Sequence, residues 1–280
     1  MRIAVTGGSG KLGTTVVSSL RAAGHDVTNF DRTGQRSPGF VQTDLTDYGQ
    51  VLDALHGVDR APGFDAVVHL GAIPASALAP DSATFHNNMA ATYNVLQGAI
   101  RAGIRRIVMA SSETLLGIPF DIDPPYAPLD EEYPSRPEST YAIVKHLEEE
   151  LARKLVRWDA ELSITGLRFS NVMTPDDYAQ FPDYSKNPSS RRWNLWGYID
   201  ARDGAQAVLR ALETAKPGFE TYVIANADTV VDTPSAELMA TFFPDVELTR
   251  ELTGNETLLS IEKARRELGY EPKFGWRQTP

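Results

Sequence analysis

Residues 5–13 read Val5-Thr6-Gly7-Gly8-Ser9-Gly10-Lys11-Leu12-Gly13. An apolar run at 3–5 precedes them, and helical apolar spacing follows over 12–23 until Gly24 stops it. Strand, glycine turn and helix in that order restrict what can be built here. The turn must be tight, its backbone must approach a ligand, and the helix start must offer free N–H groups. Glycine meets the first two demands because it has no Cβ. Free amides at a helix start suit a pyrophosphate, so the stretch predicts a dinucleotide site. Two registers fit: Gly8, Gly10 and Gly13 as G-x-G-x-x-G, or Gly7, Gly10 and Gly13 as G-x-x-G-x-x-G.

The rest of the chain keeps alternating. Residues 26–30 read as a second strand ending at Asp31, 24 residues past Gly7. That is near the offset at which a carboxylate accepts hydrogen bonds from an adenosine ribose. An ionised acid there repels a 2′-phosphate, so Asp31 favours NAD over NADP, although Arg32 beside it could pair with that phosphate. Segment 40–43 reads as a third strand ending in Asp44-Leu45, 48–55 as a helix, and 64–70 as a fourth strand. It ends in Leu70-Gly71-Ala72, whose small residues let the chain pass close to a cofactor. A long helix over 83–102 leads to a fifth strand, 106–110, which delivers Ser111 and Ser112 at its C-terminal end. Ligands collect at those ends in open parallel sheets. The expected class is α/β: a Rossmann-type doubly wound parallel sheet.

Composition narrows the partners. The net charge is −10 and the pI near 5.0, which argues against nucleic acid or an anionic membrane as main partner. There are no cysteines, so disulfides, thiolate catalysis and cysteine zinc sites are excluded, and a cytoplasmic setting is expected. No apolar run approaches the ~20 residues needed to span a bilayer. The first strand starts at Arg2, which leaves no room for a signal or transit peptide. None of the five histidines forms an H-x-x-x-H pair, so no metal is expected.

Residues 118–138 contain six prolines and read as irregular chain forming one wall of an active site. Then Tyr141-Ala142-Ile143-Val144-Lys145 opens a helix expected to run to about 158. Spacing of four puts Tyr141 and Lys145 on one face. A free tyrosine has a pKa of about 10 and is no base at neutral pH. A nearby ammonium and a nicotinamide cation would lower it. With the Ser112 hydroxyl to hold a substrate oxygen, these are parts for moving a proton while a hydride moves.

Taken together, Thr6 to Gly13, Asp31, Asp44-Leu45, Ser111-Ser112 and Tyr141-x-x-x-Lys145 resemble an extended short-chain dehydrogenase/reductase of the NAD-dependent epimerase/dehydratase group. The likeness continues in Asn87-Asn88, in Leu167-Arg168-Phe169-Ser170-Asn171-Val172, in Tyr198-Ile199-Asp200-Ala201-Arg202-Asp203, and over 260–272. The resemblance implies roles. Tyr141 is the acid/base, Lys145 bonds the nicotinamide ribose and tunes Tyr141, and Ser112 takes the catalytic serine position. Gly7, Ser9, Gly10, Lys11, Leu12 and Gly13 cradle the pyrophosphate, Asp31 and Arg32 face the adenosine ribose, and Asp44-Leu45 flank the adenine. Ser111, Ser112 and Asn171 lie on the substrate side. It also implies a small-molecule substrate and a homodimer built on the helices at 83–102 and 141–158. The stripe Ile143, Leu147, Leu151 and Leu155 could serve that contact or simply pack on the sheet.

Departures bear on the substrate. Leu116 stands where the group usually has tyrosine, and only 172–197 separate Asn171 from the next matching segment. The expected layout is a Rossmann unit over 1–171 to which 198–226 return, with 172–197 and 227–280 as a small substrate-binding cap. So short a cap resembles that of uronate dehydrogenases, in which an arginine grips the substrate carboxylate; Arg192, or Arg191, is the matching candidate. Glu113-Thr114 after the serine do not match the Asn-His of those enzymes, and a carboxylate at Glu113 would repel an acidic substrate if it pointed inward. The leading expectation is an NAD-dependent oxidoreductase that moves a hydride to or from a small sugar, sugar acid or polyol. A sugar-nucleotide epimerase or dehydratase and a non-catalytic dinucleotide sensor are the alternatives.

Overall fold

Neighbouring side chains along a strand point to opposite faces of a sheet. In the computed structural model, which describes residues 1–58 and 61–278, Ile3 and Val5 enter one apolar cluster while Ala4 enters a second. Val68 and Val108 join the first cluster; Val67, Ile107 and Met109 join the second. Burying a Val or Ile side chain fully is worth roughly 1.5–3 kcal/mol. Both faces therefore need cover, and helices supply it.

The chain begins β1 (Arg2–Thr6), α1 (Lys11–Ala22), β2 (Asp26–Asp31), β3 (Phe40–Gln42), α2 (Tyr48–His56), β4 (Ala66–His69), α3 (Asp81–Arg101) and β5 (Arg106–Ser112). It continues β6 (Tyr126–Ala127), α4 (Thr140–Leu155), β7 (Ser163–Phe169), β8 (Val172–Met173), α5 (Phe181–Lys186), β9 (Ile199–Asp200) and α6 (Ala201–Glu213). It closes with β10 (Gly218–Ile224), α7 (Ser235–Phe242), β11 (Glu247–Leu248) and α8 (Glu262–Leu268). Seven strands form one parallel sheet in the order β3-β2-β1-β4-β5-β7-β10. This is the expected Rossmann-type α/β architecture. Helices α1 and α6 pack together on one side, and α2, α3 and α4 on the other.

Register sets the site. Thr6 lies beside His69, and Ser112 beside Phe169, so the C-terminal ends of β1, β4, β5 and β7 share one edge. The strand order reverses at β1, which opens a crevice at that edge. Beyond β7, the first apolar cluster extends through Phe181, Trp196, Phe243 and Leu258, joining the C-terminal region to the sheet.

Two details differ from the sequence reading. Segment 118–138 is not wholly irregular, because Tyr126 and Ala127 pair in parallel with Glu247 and Leu248. A two-residue strand whose partner lies so far along the chain leaves no local pattern. Helix α4 ends at Leu155 rather than 158; Trp158 beyond it is 77% exposed and has no core to hold it in a further turn.

Candidate active site

A cavity of about 670 Å³ opens at the crevice. Its glycine wall is the β1–α1 turn. Gly7 has φ +72°, and a Cβ there would lie 2.5 Å from the Gly71 nitrogen. A Cβ on Gly13 would lie 2.2 Å from the Gly7 carbonyl oxygen. Neither position accepts a side chain. Gly7, Gly10 and Gly13 line the cavity and Gly8 does not, so the structure selects the G-x-x-G-x-x-G register. Helix α1 starts after Gly10 with no side-chain cap, which leaves its first N–H groups open to an anion. Bare backbone and a free helix start fit a pyrophosphate. Lys11 and Leu12 line the same wall, and Lys11 Nζ lies 2.7 Å from an Asp177 carboxylate oxygen across the opening.

A smaller cavity of about 50 Å³ adjoins this wall. Asp31, Arg32, Asp44, Leu45, Gly71 and Ala72 line it, together with Thr46 and Asn87. The Ser9 N–H donates to Asp31 Oδ2 at 3.0 Å, tying the turn to the end of β2. Ser9 lines neither cavity; its hydroxyl oxygen accepts from Asn29 Nδ2 at 3.0 Å. Backbone and hydroxyl donors from Thr46 hold the Asp44 carboxyl below its usual range.

At the centre of the larger cavity stand Ser112, Tyr141 and Lys145. Ser112 ends β5. Helix α4 begins where the Ser139 hydroxyl accepts from the Ala142 N–H at 3.1 Å, so Tyr141 and Lys145 fall in its first turns. The Lys145 ammonium lies 5.9 Å from the Tyr141 ring centroid. It donates to the Ala110 carbonyl at 3.0 Å and pairs with Glu148 at 2.8 Å. Burial pulls the Lys145 pKa down, but Glu148 and then Tyr141 carry it above the ordinary value. Tyr141 is also pushed up, because burial outweighs the ammonium. The expected lowering rests on the ammonium together with a nicotinamide cation; the ammonium does pull Tyr141 down, but less than burial pushes it up, and Glu148 adds to the rise.

Behind Lys145 runs a buried chain. Glu148 Oε1 accepts from Thr92 at 2.8 Å, Thr92 Oγ1 lies 2.9 Å from His69 Nε2, and His69 Nδ1 lies 2.7 Å from Thr6 Oγ1. Burial, then the Lys145 charge, drives the His69 pKa down to about 3, so this histidine is neutral. Next to it, Arg168 takes both oxygens of Glu149, and the Ser111 hydroxyl donates to Glu149 at 2.6 Å. Among the described residues no cluster of three or more His, Asp or Glu could hold a metal ion.

A glycine cradle, an acid at the end of β2 and a tyrosine–lysine pair thus meet at one sheet edge. Residues 3–225 match the NAD dependent epimerase/dehydratase family. This chain belongs to that family. NAD is accordingly its cofactor. An L-arabinose 1-dehydrogenase (NAD(P)(+)) of Haloferax volcanii is 27% identical over 97% of this chain and 96% of that protein. A UDP-glucose 4-epimerase 2 of Oryza sativa subsp. japonica is 26% identical over 98% of this chain but 78% of the epimerase. A short-chain dehydrogenase/reductase superfamily protein from Agrobacterium tumefaciens, solved with bound NAD, superposes with a TM-score of 0.73 at 25% identity. That superposition covers 99% of this chain and 94% of the other.

On the substrate side, Ser111, Ser112 and Asn171 line the cavity of this family member, and Arg192 does not. The Arg192 guanidinium pairs with Asp123 at 2.7 Å and lies 4.5 Å from the Phe243 ring centroid, 40% of its side chain exposed. Arg191 turns inward but stays behind the wall, donating to Asn171 Oδ1 at 3.2 Å and to the Gly197 carbonyl at 3.1 Å. Ile118, Pro119 and Glu138 from the proline-rich segment and Trp193 from the cap do stand on the cavity wall, and Glu113 points inward, whereas the sequence reading has Ser170 only as part of a match and gives it no role. Ser170 lies inside the 167–172 match and could have been found there.

Proposed function

We propose that this protein oxidises a hydroxyl group of a small sugar, sugar acid or polyol, with NAD as hydride acceptor. The observation that carries this reading is the joint burial of Ser112, Tyr141 and Lys145 on the wall that also holds the glycine cradle. The supporting comparison is one of length. The arabinose dehydrogenase aligns almost end to end, whereas the epimerase alignment spans 331 residues, more than the 280 of this chain. The epimerase therefore holds insertions that this chain does without. Segments 172–197 and 227–280 act as the substrate cap, and 1–171 with 198–226 as the cofactor unit.

Bound NAD supplies a hydride acceptor and a cationic ring. The remaining steps belong to the chain. Ser112 holds the substrate oxygen by a hydrogen bond, and Tyr141, once it has released its own proton to solvent, takes the hydroxyl proton as the carbon gives up its hydride. Tyr141 sits high before this, so its activation depends on added positive charge beside Lys145. Glu148 keeps Lys145 charged and fixed. Asp31 selects NAD over NADP by repelling a 2′-phosphate.

We propose also a homodimer through α3 and α4, because Tyr93, Ile143 and Leu147 are exposed there while Leu155 is buried. The expected stripe is thus divided between partner and core. Light scattering at micromolar concentration tests this; a monomer ends it. A chain without cysteine suits a cytoplasmic setting. Purified protein incubated with NAD and free aldoses, uronates and polyols should reduce NAD. Turnover of sugar nucleotides alone would replace this reading with epimerase or dehydratase chemistry.

A further inference from the structure

We infer that Glu113 is the residue that sets substrate class, accepting hydrogen bonds from the hydroxyls of a neutral sugar and disfavouring sugar acids. This rests on the oxidoreductase reading and deepens it. Glu113 follows Ser112 at the end of β5 and is only 3% exposed, yet it lines the cavity together with Ser112, Tyr141 and Asn171. Its carboxyl group is held from behind. Ser170 Oγ donates to Oε2 at 2.5 Å, and Asn194 Nδ2 donates to Oε1 at 3.3 Å. A carboxylate has about four lone-pair sites, so these two bonds leave capacity on the cavity side.

The charges around it decide the class. The cations that line the cavity are Lys11 and Lys145, and each already pairs with a carboxylate, Asp177 and Glu148. Arg191 and Arg192 are absent from the wall. The lining acids are Glu113 and Glu138; Glu138 pairs with Arg136 at 2.9 Å, and Glu113 is in no ion pair among the described residues but feels the Arg191 charge from behind the wall, which offsets only part of what burial does to it. An anionic substrate entering here would meet a carboxylate and, among the described residues, no unpaired cation on the wall itself. A polyhydroxylated neutral one would bring donors to an acceptor. The cluster is also built at a cost that an ordinary wall would not carry. Arg191 Nε and Asn194 Oδ1 are buried without partners, and leaving such groups unpaired is destabilising.

The test uses matched pairs that differ at one carbon: D-galactose with D-galacturonate, and D-glucose with D-glucuronate. Wild type and Glu113→Gln are assayed with NAD at about pH 8, above the value of about 7 to which burial raises Glu113. Wild type should use the aldoses at least about tenfold better in kcat/KM. Glu113→Gln should lower aldose kcat/KM by about ten- to a hundredfold, mostly through KM, by loss of a charge-assisted bond. The uronates should hold steady or improve. In parallel, the thermal shift given by each sugar to the NAD-loaded protein reads binding without turnover, and NAD affinity of the variant reports that the cofactor half is intact. Wild-type preference for uronates, or an equal loss on both members of a pair, overturns the assignment to Glu113. Failure of every free sugar to reduce NAD overturns the oxidoreductase reading instead. In that case an aldose-specific thermal shift lost in Glu113→Gln still upholds the binding role, and no such shift ends it.

Discussion

At its glycine end the cavity is walled by a single turn, Gly7 and residues 10–13. At its other end it is walled by side chains from separate stretches, Ser112 and Glu113, Ser170 and Asn171, with Asn194 behind them. The first wall works because side chains are missing: a Cβ added at Gly7 or Gly13 would come within 2.5 Å of a backbone atom. The second works because polar side chains are buried and held, Glu113 by two donors and Lys145 by Glu148. A backbone wall recognises a feature common to all dinucleotides. A side-chain wall can be rebuilt one residue at a time, so substrate class can change while the cofactor site stays.

The largest effect should come from the residue at the junction. Tyr141→Phe keeps the ring that packs at 8% exposure and removes the hydroxyl proposed to exchange the proton. General acid–base contributions run about 10²–10⁴-fold, so kcat should fall by that order. NAD binding, followed by protein fluorescence, should survive. That outcome separates the two halves of the cavity. Near-native turnover would mean that another group takes the proton, and lost NAD affinity would mean that the halves are not independent.

A smaller effect sharpens the cofactor side. Asp31→Asn removes the charge at the end of β2 while keeping an oxygen for the Ser9 N–H, now 3.0 Å away. Hydrogen bonds to charged groups are worth about 1.5–3 kcal/mol, so the NAD-over-NADP affinity ratio should drop by about ten- to a hundredfold. The KM for sugar should not move. An unchanged ratio would show that Arg32, not Asp31, governs the choice at this cavity.

These two ends were unequally legible in the sequence. The glycine wall, Asp31, Asp44 and the Tyr141–Lys145 pair could be read because each lies within a local pattern: a turn, a strand end, one helix face. The fold followed from the same local signals, since alternating strands and helices leave few ways to wind a parallel sheet. The substrate side could not be read so. Arg192 was a reasonable anchor from its position in the cap, but α7 and its flank place Phe243 under the guanidinium and Asp123 takes its charge. Glu113 touches Asn194 across 81 positions of chain, and no spacing rule reaches that far. The same holds for His69, Thr92 and Glu148, which lie on β4, α3 and α4 and meet only when the sheet and its helices close.

The smallest effect tests whether the far wall truly buries its acid. Burial raises Glu113 from 4.5 to about 7, so its folded form prefers the proton. A raised pKa contributes stability that is present below the unfolded value and lost as pH rises through the folded one. For Glu113 the window is 4.5 to about 7. His69 runs the other way. Lowered from 6.5 to about 3, it contributes stability that is present above 6.5 and lost as pH falls towards 3. Each group changes stability by about 1.4 kcal/mol per pH unit inside its window. Between 4.5 and 6.5 the two oppose each other and their joint slope is near zero. Glu113→Gln removes one side of this balance. Urea unfolding at a series of pH values should show the stability of wild type relative to Glu113→Gln declining from 4.5 to about 7 and level above it. A difference that does not vary with pH would mean that Glu113 titrates as a solvated acid. The cavity would then be open to water at that wall, and the contrast between a backbone end and a buried side-chain end would fail where the substrate is chosen.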